Sequence, residues 1–307
     1  MVTTVCLNPA VDKNADVEQL QIGKVHRLGN PRITLGGKGI NVAVVLGKLH
    51  ADVGCVSFVG EGDIPLFVQS MEKDEVRFYA IQVPGNVRRN LKIVDGKTRI
   101  VTEFNEQGPE ADAEAFDQLM RTLVRLAKTS RYVALCGSLP PGLAPDTYQT
   151  IMRRLNGKPL IVDTSGPALR YAVQEKPFLI KPNLTELEEL TQTALPTPEA
   201  VKNAAVALCE AGIAHVAVSL GERGAILTNG KRTVFAPAIP VAAASTVGAG
   251  DSMLAGILYG LERGETAFEA LRYGVAAGSA CVKGGSVHAF SVQDFQTLLQ
   301  RAEVREI

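Results

Sequence analysis

The chain has 307 residues, 46% of them hydrophobic and 21% charged, a composition typical of a globular enzyme and long enough to bury a large core. Its 32 basic and 32 acidic residues cancel, Trp is absent, and aromatic residues make up 5%. Neither the net charge nor the supply of stacking side chains therefore favours nucleic acid or a membrane surface as a partner.

Short β-branched runs alternate with helical patterns along most of the chain. Buried strands are predicted at 3–7, 53–59, 132–137, 159–165, 178–183 and 215–220, because these runs are apolar on both faces. Helices are predicted at 39–49, 112–128, 145–155, 197–212 and 251–261. The alternation predicts an α/β fold with a mainly parallel sheet, helices on both faces, and ligand binding at the carboxyl ends of the strands.

Two stretches depart from this alternation. Strand patterns flank the dipeptide Asp95-Gly96, and others flank Asn229-Gly230. Both dipeptides suit two-residue hairpin turns, which require positive φ angles. We therefore expect a β-hairpin at each place.

The first hairpin, at about 87–104, is expected to join residues of about 14–35 in a small β-sheet lid that projects from a single domain of residues 1–307. Both segments carry excess positive charge, which suggests an anionic ligand beneath them. The cations of residues 24–41, which contain no acid, are Lys24, Arg27, Arg32 and Lys38. The cations of the hairpin are Arg88, Arg89, Lys92, Lys97 and Arg99, against Asp95 and Glu103.

A glycine-rich loop precedes the helix predicted at 251–261. Gly248, Ala249 and Gly250 would bring backbone N–H groups close to an anion at a helix N-terminus. Asp251 follows at once, and a carboxylate beside an anion site can accept the proton of a hydroxyl that attacks a phosphoryl group. An equally open alternative at this stage is that Asp251 only caps the helix. The dinucleotide fingerprint G-x-G-x-x-G is not met, because position 253 is Met.

A second glycine cluster precedes the helix predicted at 39–49. Gly36, Gly37 and Gly39 surround Lys38, and Asn41 lies in the first turn. The alternative to a binding site here is a tight turn with a solvated lysine.

Both glycine clusters belong to a set of segments that resembles the phosphofructokinase B family, the ribokinase-like sugar kinases. The matching segments, in the family's order and spacing, are "LNPAVD" (7–12), "GGKGINVA" (36–43), "GSLPPG" (137–142), "KPNLTELEEL" (181–190), "SLGERGA" (219–225) and "STVGAGDSM" (245–253). The resemblance covers nearly the whole chain, and the last segment is highly specific. It implies a ribokinase-like fold with a small β-sheet lid, a homodimer through that lid sheet, and an ATP-dependent kinase.

The resemblance also implies roles by position. Asp251 would be the catalytic base, and the amides of 248–250 would form the anion hole. The residues implied to hold the sugar are Asp12, Gly36, Gly37 and Asn41, with Ser138 as a further contact. The residues implied to lie along the nucleotide are Lys181, Asn183, Ser219, Gly221, Thr246, Gly248 and Gly250. Asn183 and Glu186 would organise Mg²⁺ largely through water, and the carbonyls of Ser245 and Val247 would bind a monovalent cation such as K⁺.

Lys38 concerns the kind of sugar that accepts the phosphoryl group. Family members that act on uncharged sugars usually have a small residue at this place, so the resemblance implies an acceptor that already carries a phosphate. Arg88, Asn90 and Lys92 fit the pattern of the sugar-phosphate kinases, whereas Arg89 is expected on the opposite face of its strand because neighbours alternate.

The reaction expected from this resemblance is the conversion of fructose 1-phosphate and ATP to fructose 1,6-bisphosphate and ADP. Tagatose 6-phosphate and fructose 6-phosphate stay open as acceptors. A sugar-phosphate sensor without catalytic activity is the alternative from another class, and the intact Asp251 argues against it.

The cysteines and the N-terminus bear on the compartment. Five scattered cysteines, none in a C-x-x-C pair, are typical of buried thiols in a reducing cytosol. The N-terminal segment lacks a basic stretch, so it is unlike a signal peptide, and no apolar run is long enough to cross a bilayer. We therefore expect a cytoplasmic protein.

Overall fold

The computed structural model describes residues 1–98 and 100–307, and at Asn30 it describes the backbone alone. Arg99, one of the hairpin cations, lies outside the described residues. The strands are β1 (Val2–Cys6), β2 (Ala10–Val17), β3 (Gly29–Gly36), β4 (Val53–Gly60), β5 (Arg77–Val83), β6 (Arg88–Asp95), β7 (Val101–Asn105), β8 (Tyr132–Cys136), β9 (Leu160–Asp163), β10 (Leu179–Ile180), β11 (His215–Ser219), β12 (Ala225–Thr228), β13 (Thr233–Ala236) and β14 (Arg305–Glu306). The helices are α1 (Lys38–Lys48), α2 (Ile64–Lys73), α3 (Ala113–Ala127), α4 (Thr147–Arg154), α5 (Gly166–Ala172), α6 (Leu184–Thr191), α7 (Pro198–Glu210), α8 (Ala249–Glu262), α9 (Ala267–Gly284) and α10 (Val292–Leu299).

A large sheet forms the centre of the molecule, with strand order β14-β13-β12-β11-β10-β9-β8-β1-β4-β5. The strands from β11 to β5 run parallel, and β12, β13 and β14 add antiparallel pairs at one edge. β4, with the sequence VGCVSFVG, is buried along its whole length, as expected for a strand covered on both faces. The mainly parallel sheet predicted from the sequence is confirmed.

Helices cover both faces of this sheet and divide the core in two. One core includes Ile40 of α1, Phe67 of α2 and Leu254 of α8. The other includes Leu119 of α3 and Tyr148 of α4. Burying two apolar faces in this way explains why the chain needs helices in both layers.

The small sheet has strand order β3-β2-β6-β7. β2 pairs with β3 in antiparallel fashion and with β6 in parallel fashion, and Asp12 lies opposite Asn90 in this second pairing. β2 begins at Ala10, directly after the loop that leaves β1, so the small sheet starts at the edge of the large one. Several of its apolar side chains are exposed, among them Ile33 at 65% and Phe104 at 56%.

Both predicted hairpins form, but neither has the two-residue turn expected from its dipeptide. β6 ends at Asp95 and β7 begins at Val101, and the Asp95 carboxylate accepts hydrogen bonds from the amides of Lys97 and Thr98, both at 2.8 Å. This side-chain acceptor stabilises a longer turn. At the other hairpin, Thr228 pairs with Thr233, and four residues connect them.

None of the helices in the described parts of the chain combines the length and apolar character needed to cross a membrane. The five cysteines are free thiols; Cys209 is half-buried and the other four are buried.

Candidate active site

Polar side chains collect where adjacent parallel strands end. Asn8 follows β1, Ser138 follows β8, Asp163 ends β9, Lys181 follows β10, and Ser219 ends β11. Carboxyl ends of parallel strands share one edge of the sheet, and such an edge is the usual binding crevice of an open α/β fold. The small sheet starts from this edge, so the crevice lies between the two sheets.

The glycine loop places the N-terminus of α8 at this crevice. Gly248 adopts the left-handed conformation with φ of 81°, and a Cβ built there would lie 2.7 Å from Val287 Cγ1. Both the backbone conformation and the lack of space therefore favour glycine. The amide of Ala249 donates to Thr246 O at 3.2 Å. For the amides of Gly248 and Gly250, no acceptor occurs within residues 1–98 and 100–307.

Asp251 is the third residue of α8 and is 8% exposed. It does not serve as the helix cap, because this N-terminus has no side-chain cap hydrogen bond. Instead, Asp251 Oδ2 accepts a hydrogen bond from Asn41 Nδ2 at 2.7 Å. The geometry therefore leaves the simple capping role without support.

Burial raises the pKa of Asp251 to about 6, and the negative charge of Asp163 acts in the same direction. The hydrogen bond from Asn41 and the cations Lys38 and Lys181 work against this rise. A carboxylate with a pKa near 6 is mostly ionised at neutral pH yet binds a proton readily, as a general base requires.

Asp163 lies between two lysines and is fully buried. Its Oδ1 accepts a hydrogen bond from Lys38 Nζ at 2.8 Å, and its Oδ2 lies 3.2 Å from Lys181 Nζ. Burial works against the ionised carboxyl, but the two lysines lower the pKa of Asp163 below its ordinary value. Glu186 Oε1 lies 3.3 Å from Lys38 Nζ. We call Lys38, Asp163, Lys181, Glu186 and Asp251 the strand-end cluster.

Lys38 belongs to this cluster and not to the cations of the small sheet. Burial disfavours its charged form, but the carboxylates of Asp163 and Glu186 outweigh that effect and raise the pKa of Lys38. Lys181 lies on the other side of Asp163, and a Cβ built on Gly250 would be 3.6 Å from Lys181 Nζ. Two ammonium groups therefore lie on the side of the crevice where α8 begins.

Asn183 and Glu186 form a capping box at the start of α6. Asn183 Oδ1 accepts from the Glu186 amide at 2.8 Å, and Glu186 Oε2 accepts from the Asn183 amide at 2.9 Å. This reciprocal pair fixes the Glu186 side chain so that its other oxygen, Oε1, reaches Lys38. Glu186 is 12% exposed at its side chain, so it is not the free surface acid that its sequence neighbours suggest.

The remaining residues assigned to nucleotide and cations line the same edge. Ser219 forms an isolated parallel β-bridge with Asn183 through the backbone. A Cβ built on Gly221 would have no atom within 4 Å, so the space beside this residue is open. Ser245 and Val247 lie on the loop before α8, where Val247 O is 3.5 Å from Cys281 Sγ. No group of three or more His, Cys, Asp or Glu side chains in the described residues is arranged to hold a metal ion by itself.

On the small-sheet side, Asp12 is the central residue. Its Oδ1 accepts from Asn90 Nδ2 at 2.7 Å, and its Oδ2 lies 3.8 Å from Lys92 Nζ. Arg88 Nη2 donates to Asn8 O at 3.1 Å. We call Asp12, Arg88, Asn90 and Lys92 the small-sheet group.

Arg89 faces away from this group, as the alternation of its strand predicts. Its guanidinium binds the buried carboxylate of Asp63 through two hydrogen bonds of 3.0 and 2.7 Å. The pair attaches β6 to the connection before α2. Of these two arginines, only Arg88 is on the face of β6 that carries Asn90 and Lys92.

Close contacts within the protein explain why positions 36 and 37 are glycine. A Cβ on Gly36 would lie 2.6 Å from Asp12 Oδ2, and one on Gly37 would lie 2.7 Å from Cys6 Sγ. Gly37 also has a φ of 112°. These contacts let β3 turn into α1 directly over Asp12, where a larger residue would displace the carboxylate.

Two residues of the crevice were not identified from the sequence: Asp163 and Asn8. Asp163 ends a strand that reads as wholly apolar before it, and a lone carboxylate at the carboxyl end of a buried strand was the available signal. Asn8 lies inside the segment "LNPAVD", where only Asp12 received a role.

A buried carboxylate at a helix N-terminus, with ammonium groups nearby and a polar small sheet opposite, is the arrangement of a kinase site on a ribokinase-like fold. Residues 5–293 match the pfkB family of carbohydrate kinases, and the chain belongs to this family. It is therefore a phosphotransferase with an alcohol acceptor.

Individual relatives are similar over most of their length. The chain is 38% identical to a 1-phosphofructokinase of Rhodobacter capsulatus over 285 residues, which is 90% of each chain. It is 33% identical to a 1-phosphofructokinase of Borreliella burgdorferi, covering 100% of this chain and 99% of that one. The structure of Escherichia coli phosphofructokinase-2 in complex with potassium matches with a TM-score of 0.91 at 27% identity, covering 98% of both chains.

Proposed function

We propose that this kinase transfers the γ-phosphoryl group of ATP to fructose 1-phosphate, giving fructose 1,6-bisphosphate and ADP. The observation that carries the proposal is the buried Asp251 carboxylate, held by Asn41 at 2.7 Å at the N-terminus of α8. The names of the Rhodobacter and Borreliella relatives support the choice of acceptor.

Asp251 acts as the general base in this mechanism. The attacking hydroxyl of the sugar gives its proton to the Asp251 carboxylate as its oxygen forms a bond to the γ-phosphorus. The bond between that phosphorus and the β–γ bridging oxygen breaks, and ADP takes the electron pair. Asn41 holds the carboxylate oriented toward the hydroxyl, which is why we assign it to the acceptor side.

Charge that develops on the transferring group is stabilised by three sources. The free amides of Gly248 and Gly250 and the dipole of α8 attract the equatorial oxygens. Lys181, 4% exposed and beside Gly250, supplies a fixed positive charge on the nucleotide side. Asn183, Ser219, Gly221 and Thr246 complete the nucleotide side of the crevice.

The donors of the crevice fit Mg²⁺ that is shared with ATP. Magnesium prefers a few carboxylate oxygens together with waters and substrate phosphates, and Glu186, which Asn183 holds at the crevice, would bind the ion largely through water. The ion would neutralise phosphate charge. The carbonyls of Ser245 and Val247 are our candidates for a K⁺ ion, which the potassium complex of the Escherichia coli relative supports.

The small-sheet group is proposed to hold the phosphate already on the acceptor, with Arg88 and Lys92 as the cations, while Asp12 and Asn90 bind sugar hydroxyls. Ser138 and the backbone at Gly36 and Gly37 complete this side. Lys38 has two candidate roles. It reaches the acceptor phosphate, or, as its 2.8 Å bond to Asp163 favours, it binds the phosphoryl group in transit.

A second candidate acceptor is fructose 6-phosphate, because a matched structure with a TM-score of 0.90 at 27% identity is Escherichia coli phosphofructokinase-2 in complex with fructose-6-phosphate. Tagatose 6-phosphate is a third. The same cations would receive a phosphate from either end of the sugar, so the acceptor must be determined by experiment.

The deciding experiment is a coupled ADP-release assay with fructose 1-phosphate, fructose 6-phosphate, tagatose 6-phosphate and free fructose. We expect the highest kcat/KM with fructose 1-phosphate. A higher value with another sugar phosphate would reassign the acceptor. Binding of a sugar phosphate without ADP release from MgATP would instead support a sensor.

The small sheet is also our candidate for a homodimer interface. Ile33 and Phe104 lie in one cross-strand row on the face of the small sheet opposite Asn90 and Lys92. Each is more than half exposed, and exposed apolar side chains on one face are typical of an interaction surface. We expect sedimentation to give a dimer and Phe104→Ser to shift it toward monomer. The free thiols agree with a reducing compartment, and we propose a cytoplasmic location.

A further inference from the structure

Asn8 connects three segments beneath the acceptor side of the crevice. It lies between β1 and β2 and is 6% exposed. Its Nδ2 group donates to Gln107 O at 3.1 Å and to Ser138 Oγ at 3.3 Å, and it lies 3.5 Å from Leu139 O. A single buried amide therefore fixes the loop after β7 and the loop after β8 against the end of β1.

The backbone of Asn8 reaches the small-sheet group as well. Asn8 O accepts the hydrogen bond from Arg88 Nη2 at 3.1 Å, and it lies 3.6 Å from the Cβ position of Gly37. Residue 8 thus touches two of the groups proposed to bind the acceptor, Arg88 through its carbonyl and Ser138 through its side chain.

Three buried polar atoms on the acceptor side of the crevice lack hydrogen-bond partners, which points to a ligand. Asn8 Oδ1, Arg88 Nε and Asn90 Oδ1 are buried, and within residues 1–98 and 100–307 none has a hydrogen-bond partner. Buried polar atoms in native proteins are nearly always paired. Three such atoms on the acceptor side indicate an arrangement that is completed when the sugar phosphate binds and these side chains adjust to it.

The space around Asn8 is also restricted. Gly108 has a φ of 97°, and a Cβ built there would lie 2.5 Å from Asn8 Oδ1 and 3.7 Å from Arg88 Cβ. Only glycine at position 108 leaves room for the Asn8 amide beside Arg88. The place of the Asn8 side chain therefore depends on the residue type at position 108 as well.

We propose that Asn8 is a positioning residue for the acceptor sugar phosphate, which it serves by holding the Ser138 loop and the 107–108 loop in register with Arg88. This inference rests on the proposed function, because it takes the small-sheet side as the acceptor side. The side chain itself does not contact the reacting atoms. Its effect is on KM for the acceptor, since displaced binding groups weaken productive binding.

The test compares Asn8→Ala with Gln149→Ala. Gln149 is 5% exposed and donates to Gln174 and Glu175, so it is an equally buried amide in a different part of the fold. We expect Asn8→Ala to raise KM for fructose 1-phosphate about 10- to 100-fold with kcat and the KM for ATP within about threefold. Gln149→Ala should lower the melting temperature without changing either KM.

Asn8→Asp provides a second variant if alanine disturbs folding. It keeps the volume but removes the donor, and we expect the same selective rise in KM. Ser138→Ala should have a smaller effect and should add little to Asn8→Ala, because both act through one loop.

Direct binding of fructose 1-phosphate, measured by calorimetry without ATP, separates the two proposals. If wild type binds and phosphorylates the sugar phosphate and Asn8→Ala shows unchanged KM and Kd, the positioning role is wrong and the function stands. Equal losses for ATP and sugar phosphate would likewise reduce Asn8 to a purely structural residue. If wild type neither binds nor phosphorylates any sugar phosphate, both proposals fail.

Discussion

The strand-end cluster and the small-sheet group contain the same kinds of side chains in different surroundings. In the cluster, Asp163 is fully buried and its lysine contacts are 2.8 and 3.2 Å. In the small-sheet group, Lys92 lies 3.8 Å from Asp12 and 3.9 Å from Glu103, which is 42% exposed. Opposite charges in close contact around a fully buried carboxylate interact strongly and shift one another's pKa, and the interaction weakens as the distance between the charges grows. The comparison suggests that the first region does the chemistry and the second recognises the acceptor.

The largest expected effect is a loss of kcat when the strand-end cluster loses Asp251. Asp251→Asn should lower kcat by about two to four orders of magnitude while KM for both substrates stays near wild type, because the general base is lost but its shape is kept. Steady-state kinetics with fructose 1-phosphate and MgATP measure this. Lys92→Ala, in the small-sheet group, is the control and should act mainly on KM for the acceptor.

Stability gives a second check on Asp251. Folding raises the pKa of Asp251 to about 6, so the ionised carboxylate costs the folded state free energy once the pH exceeds that value. At pH 8 the Asn variant should therefore melt no lower than wild type. Near wild-type turnover in this variant would exclude Asp251 as the base.

Breaking the buried charges should cost stability as well as activity. Asp163→Asn leaves Lys181 buried without its counter-charge, and we expect the free energy of unfolding to fall by about 3 kcal/mol. Urea denaturation measures the change. Asp294→Asn removes the partner of Lys283 in an exposed pair with a 2.7 Å contact and should cost less than about 1 kcal/mol. Equal losses would mean that burial does not distinguish the two pairs.

Lys38→Ala tests which of its two candidate roles Lys38 has. The lost charge-assisted contact should lower kcat/KM for fructose 1-phosphate by about 10- to 150-fold. If Lys38 binds the acceptor phosphate, activity on free fructose should change much less. Equal losses on both sugars would assign it to the phosphoryl group in transit, and changes within a few tenths of a kcal/mol on every substrate would make it a solvated lysine.

Arg88 and Arg89 provide comparison variants for Lys38→Ala. Arg88→Ala should lower kcat/KM for the phosphorylated sugar selectively, and a double variant with Lys38→Ala should depart from additivity if both cations hold one phosphate. Arg89→Ala removes the partner of Asp63 on the opposite face of β6 and should reduce stability without this substrate selectivity.

The sequence predicted the large-sheet architecture because buried parallel strands and their helices have strong local patterns. β1, β4, β8, β9, β10 and β11 were each located to within a few residues. The helices α2, α5, α6, α9 and α10 were not assigned. In α9, small residues such as those of "GVAAGSAC" give little periodicity. Turn lengths were also missed: the dipeptide Asp95-Gly96 suits a tight turn, but the Asp95 carboxylate stabilises a longer one.

The site was predictable where a local motif encodes it. Gly248 and Asp251 lie within one contiguous segment, so the sequence alone indicated a helix N-terminus with an adjacent carboxylate. The partners of Lys38 were not predictable, because Asp163 and Glu186 are 125 and 148 residues away along the chain. Charge counts over short windows placed Lys38 with the small-sheet cations, and only the strand order shows that β9 brings Asp163 next to it.

The smallest expected effect concerns the pH at which activity declines. Turnover requires ionised Asp251, so kcat should fall as the pH drops through about 6. The hydrogen bond from Asn41 lowers the pKa of Asp251, and Asn41→Ala should therefore move this acidic limb to higher pH, by roughly half a unit to one unit. The phosphate of the substrate also titrates near pH 6, but its ionisation is identical for both enzymes, so the difference between their profiles isolates Asp251. Profiles of kcat at saturating substrate make the measurement. Coincident limbs, or a shift to lower pH, would show that the Asn41–Asp251 contact does not tune the base and that the chemistry of the strand-end cluster depends on another group.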